Sequence, residues 1–76
     1  MGLVERKAEE KQMRRGRIVA AAMALFTEGG YAATSMDMIA TQAGFSKRTV
    51  YGYFESKEDI LAAVVLEALR MMNRMT

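Results

Sequence analysis

An all-α fold, a small helix-turn-helix domain with supporting helices 1 and 4, is predicted by three observations. The 76 residues contain no proline, 51% of them are apolar and 26% are charged, a balance that suits one folded, mostly helical unit and not a disordered tail. Apolar residues return at one-turn spacing in several stretches, and Gly44 separates two short ones. A chain of this length has room for one modest core, which excludes a large catalytic fold.

The elements follow in order. Residues 1–13 mix Glu5, Arg6, Lys7, Glu9, Glu10 and Lys11 with few apolar anchors, so a flexible N-terminal arm is predicted, turning helical toward its end. From Met13 to Glu28 the pattern changes: Ile18, Ala22, Leu25 and Phe26 recur on one face, and Ala20, Ala21 and Ala24 permit close approach of another helix. This is helix 1, ended by Gly29-Gly30. Thr34-Ser35-Met36-Asp37 resembles a capping box with Thr34 at the cap and Asp37 three positions on. Helix 2 follows, with Met36, Ile39, Ala40 and Ala43 facing inward, until Gly44 turns the chain. Ser46 starts helix 3, running to Phe54 with Val50 and Phe54 in the core. Ser56-Lys57-Glu58-Asp59 is a second capping signal, and Ile60, Leu61, Val64, Val65, Ala68, Leu69 and Met72 form the broad stripe of helix 4.

Composition narrows the chemistry. Without Cys or His the chain has no disulfide framework, no thiolate or imidazole metal ligands and no histidine-based triad, so no catalytic residue, cofactor site or metal site is expected. The longest apolar run, Ile18 to Phe26, is nine residues, too short for a bilayer, and an intracellular protein without a membrane partner is the simplest expectation. Eleven Lys and Arg against nine Asp and Glu give a net charge of +2, which permits anionic partners without naming one.

Distribution says more. Two short helices joined at Gly44 form a unit whose second member can enter the major groove of B-DNA. The first turn of that member carries a side-chain cap with Lys47 and Arg48, favourable opposite phosphates or electronegative base edges. A solvated charged face is the alternative.

Longer strings decide between them. Arg15-Gly16-Arg17-Ile18, Gly29-Gly30-Tyr31, Thr34-Ser35-Met36, Ala43-Gly44-Phe45-Ser46-Lys47-Arg48-Thr49-Val50-Tyr51 and Tyr53-Phe54-Glu55-Ser56-Lys57-Glu58-Asp59-Ile60-Leu61 resemble, in this order, the N-terminal domain of the TetR repressor family. The resemblance covers roughly residues 14–66, with 67–76 as the end of helix 4, leading in that family toward an effector and dimerisation domain.

That resemblance implies sequence-specific binding of double-stranded DNA and transcriptional repression at an inverted-repeat operator. It also implies a homodimer in the full-length context, with this domain alone monomeric, and a small-molecule effector acting only through the C-terminal domain. Activation uses the same DNA-binding helices. A cytoplasmic, nucleoid-associated protein is expected.

By family position Lys47, Arg48, Thr49 and Gly52 are base-facing, and Thr34, Ser35, Tyr51, Tyr53 and Lys57 position the DNA backbone. Arg14, Arg15 and Arg17 are additional candidates for phosphate or minor-groove contact. Each has a plainer reading: Thr49 can bond its own backbone, Tyr51 and Tyr53 can roof the core, Thr34 and Ser35 can cap, and Lys57 and the arginines can be solvated. Gly52 replaces the larger or polar residue frequent in the family, and Met38 stands where a polar residue is common. Asp37 reads as a helix-capping residue, with acceptance from cytosine N4 as the lesser role. The competing function is a helical protein-interaction module using the apolar face of helix 4, where Met72 and Met75 lack an evident partner.

Overall fold

The computed structural model describes residues 3–74, with side chains from 7 to 73; Met75 lies outside them. Four helices follow in order: α1 (Leu3–Gly29), α2 (Met36–Ala43), α3 (Lys47–Tyr51) and α4 (Lys57–Arg74). The fold is all-α, and its core draws one fully buried large side chain from each helix: Ile18, Ile39, Val50 and Ile60. Burying each from water contributes about 1.5–3 kcal/mol. Ala22, Ala40, Ala43 and Ala63 lie between them, short enough for the helices to approach closely.

α1 starts ten residues earlier than the apolar pattern predicts. Its inward stripe begins only at Ile18, and residues 7–17 are exposed, so periodic burial gives no sign of where the helix begins. It ends as expected, with Gly30 at φ +90° and the Gly30 N–H donating to the Phe26 carbonyl at 3.1 Å.

The start of α2 is a correction by one residue. Ser35, not Thr34, is the cap, and its Oγ accepts from the Met38 N–H at 3.1 Å. Thr34 is only 3% exposed and its hydroxyl donates to the Gly30 carbonyl at 2.9 Å. At the other end Gly44 adopts φ +79°; its N–H donates to the Thr41 carbonyl and that of Phe45 to Ala40 at 2.9 Å, a Schellman closure that requires the left-handed conformation.

α3 is shorter than predicted. Ser46 caps it, accepting from the Thr49 N–H at 3.1 Å. Past Tyr51 the chain tightens into turns, with the Tyr53 and Phe54 N–H groups both donating to the Val50 carbonyl at 3.0 Å. Phe54 still reaches the core. In α4 the expected stripe is only partly buried. Ile60 and Ala63 are covered and Leu61 and Val64 half-buried, whereas Val65, Leu69 and Met72 are exposed because the core ends at Ala63.

Candidate nucleic-acid interface

Val50 fixes the orientation of α3. With that side chain buried, Lys47, Arg48 and Tyr51 project outward, Tyr51 remaining 46% exposed. Gly52, just beyond the helix, is also exposed, so four of the expected contact positions share the outer surface of the turn-and-helix unit. Thr49 is half-buried and its hydroxyl lies 2.9 Å from Ser46 Oγ, so its local partner is a side chain and not a backbone group. Gly52 has φ −72°, which any residue adopts; a Cβ there would lie 3.1 Å from the Thr49 carbonyl oxygen.

Opposite α3, the outward side of α2 carries Asp37 and Met38. The Asp37 carboxylate lies 3.4 Å from Lys47 Nζ, bridging the two helices across the turn, with both side chains more than half exposed. Since Ser35 provides the cap, Asp37 acts in the first turn as a favourable charge near the α2 N-terminus and as the ion-pair partner of Lys47.

Several expected DNA contacts are instead engaged within the domain. Thr34 is turned into the core, so its side chain does not present a hydroxyl to a phosphate; neighbouring Ser35 is exposed. Lys57 Nζ donates to the Tyr31 carbonyl at 2.9 Å and the Thr34 carbonyl at 3.0 Å, and sits 4.1 Å from the centre of the Tyr31 ring. Two of its three donors thus hold the loop before α2. The Arg17 guanidinium donates to the Ala43 carbonyl at 2.9 Å and stacks 4.8 Å from the Phe45 ring centre, holding the turn between α2 and α3. Arg15 lies over Phe54 at 5.1 Å, and Arg14 is exposed. Tyr53 is half-buried against the core, consistent with its roofing role.

The two groups whose ionisation is displaced are Tyr31, in the loop before α2, and Glu58, in the first turn of α4. Partial withdrawal from water raises the Tyr31 phenol, reinforced by its hydrogen bond to Glu58. That bond, 3.0 Å from Tyr31 Oη to Glu58 Oε1, holds the Glu58 carboxyl below its usual range, aided by the Glu58 backbone N–H and Ser56. Among the described residues no three His, Cys, Asp or Glu side chains are placed to share a metal ion.

Spacing could not reveal the roles of Arg17 and Lys57, whose partners lie 26 and 23–26 residues away. Lys7 and Lys11 fall in the stretch where a flexible arm is predicted; in α1 they stand one turn apart and one turn before Arg14, which places all three on one helical face.

Helices α2 and α3, their glycine turn and the basic outer face of α3 define a helix-turn-helix DNA-binding domain. The family model for bacterial regulatory proteins of the tetR family matches residues 18–64, and the chain belongs to that family. It is 44% identical over 52 residues to the HTH-type transcriptional activator FasR of Mycolicibacterium smegmatis, covering 68% of this chain and 24% of that one. With the fatty acid metabolism regulator protein of Bacillus subtilis it shares 36% over 61 residues, covering 80% and 31%. A solved structure from Mesorhizobium loti, assigned to the TetR family of transcriptional regulators, superposes with a TM-score of 0.83 at 42% identity, covering 86% of this chain and 32% of that one. The chain spans about a third or less of the length of these relatives. They are transcriptional regulators, not enzymes, and no described helix is long and apolar enough to cross a membrane.

Proposed function

We propose that the domain reads an inverted-repeat operator in the cytoplasm, at the nucleoid, and that the regulator to which it belongs is a homodimeric repressor. The observation that carries this reading is the outward grouping of Lys47, Arg48 and Tyr51 on α3 while Val50 anchors the opposite side. Lys47 and Arg48 donate to guanine O6 and N7, and Thr49 offers a hydroxyl and a methyl to its neighbouring base. At Gly52 the absence of a side chain lets the backbone come close to the groove. Ser35, Tyr51 and the Tyr53 hydroxyl hold phosphates and set the docking angle.

Two such domains spaced about 34–36 Å apart meet successive major grooves, which gives the operator its two-fold symmetry. Occupying a promoter in this way obstructs polymerase; activation, the role in FasR's name, is the outcome when the domain docks at a different position. A small-molecule effector then acts by changing the spacing of the two domains, through the part of the regulator that follows α4.

The test is fluorescence-anisotropy competition between an enriched inverted-repeat duplex and a scrambled one. The enriched duplex is expected to win, and Arg48→Ala, with helicity checked by circular dichroism, to reduce its advantage by roughly 5- to 150-fold, corresponding to one good base contact. Equal binding of both duplexes overturns the reading. A second reading, a protein-interaction module, is favoured only by the exposed Val65, Leu66, Leu69 and Met72 of α4; it requires binding that Leu69→Asp abolishes and DNA does not affect.

A further inference from the structure

Outside the stretch that matches the family model, residues 7–14 carry a charged surface of which only Arg14 is a candidate contact by sequence. Lys7, Lys11 and Arg14 stand at one-turn intervals along α1 and line a shallow groove with Glu10 and Tyr53. An adjoining groove brings Lys11 beside Gly52 and Tyr53, immediately beyond the last residue of α3. The charges that alternate along the sequence are therefore sorted around the helix: the three cations share a face, Glu10 flanks it and Glu9 falls on the other side.

Like charges one turn apart repel by about 0.2–0.5 kcal/mol a pair, and Glu10, one turn from both Lys7 and Arg14, offsets this by a similar amount. The ion pairs formed among the described residues are Lys47–Asp37 and Arg70–Glu67, which leave these three cations out. Residues 7–17 are exposed, so the three cations are open to a polyanion adjoining the end of α3. The three residues rise about 10 Å along the helix, roughly three nucleotide steps of one strand.

From this continuity we propose that Lys7, Lys11 and Arg14 form a phosphate-binding track on α1 that extends the duplex contact of α3 along the DNA backbone. The proposal rests on the DNA-reading role of α3 and adds a second segment to it. Because phosphates carry no base identity, the track strengthens binding without choosing the site.

Salt titration of K7Q/K11Q/R14Q against wild type, on enriched and scrambled duplexes, tests it, with Arg70→Gln as a control cation on α4 and circular dichroism to verify helicity. Each lost phosphate contact removes about 0.9 from the slope of log K against log salt. The folded triple variant is expected to lose 2–3 from that slope on both duplexes and to keep their affinity ratio, while Arg70→Gln leaves the slope unchanged. The proposal is overturned by an unchanged slope in the folded variant, by an equal loss per charge in Arg70→Gln, or by collapse of the ratio. If wild type discriminates the duplexes and the triple slope is unchanged, only the track fails; if wild type binds neither duplex, the α3 reading fails with it.

Discussion

Removing the Lys57 ammonium takes away two hydrogen bonds to loop carbonyls and the contact with the Tyr31 ring. Hydrogen bonds to charged groups contribute about 1.5–3 kcal/mol each when well shielded; here, with the side chain half-buried, Lys57→Met is expected to cost about 2 kcal/mol in total, read as a lower urea midpoint. Glu58, in the same assembly, predicts a pH response. Its carboxyl is held low by the Tyr31 hydroxyl, so its contribution is present above the unfolded-state pKa and is lost as pH falls through the folded-state value. Glu58→Gln should flatten the acid side of a thermal-midpoint profile; an unchanged profile would show that the bond contributes nothing. Asp37 holds Lys47 at 3.4 Å, and with Lys47 at the duplex as proposed, this carboxylate competes with the DNA for the ammonium. Asp37→Asn should therefore raise affinity for scrambled duplex and steepen the salt slope by about 1, and Lys47→Ala should remove that gain if Asp37 works through the lysine.

The turn between α2 and α3 stores its specificity in backbone geometry. Gly44 sits at φ +79°, and a Cβ there would lie 3.0 Å from the Arg17 guanidinium. An L-residue pays about 1–2 kcal/mol in that conformation, so Gly44→Ala should lower stability by at least that amount, and adding Arg17→Ala should recover only the steric share in a double-mutant cycle. This turn was legible because its signals are local: Gly44 for the closure, Ser46 for the next cap and Val50 one turn on for the core. Base-facing candidates on α3 were legible for the same reason, once Val50 set which side faces in. Tertiary competition hid the rest. Thr34 and Ser35 can both cap, and the choice falls to Ser35 as Thr34 bonds the Gly30 carbonyl while Lys57 ties down its own. Arg17 reads as a groove contact until Ala43 and Phe45 are brought to it from across the fold. The early start of α1 leaves no apolar period to detect, since residues 7–17 are all exposed.

Across the whole molecule the core is concentrated in a few side chains, and the DNA-binding surface depends on them. Ile60 is fully buried, whereas Leu69, two and a half turns along the same helix, is 53% exposed. Truncating a buried isoleucine to alanine costs about 2–5 kcal/mol through lost transfer energy and the cavity left behind. A domain of this size holds a net stability of similar magnitude, about 3–5 kcal/mol. Ile60→Ala is therefore expected to leave much of the population unfolded at 25 °C, with helicity and duplex discrimination lost together, because α3 has only five residues and too few backbone bonds to persist unpacked. Leu69→Asp places a charge where water already reaches, so helicity and discrimination should both survive in this chain. If Leu69→Asp instead abolished discrimination while the helices remained, the exposed half of α4 would be part of how the domain engages DNA, by bringing two copies together, and the operator contact could not be assigned to α2, α3 and the basic face of α1 alone.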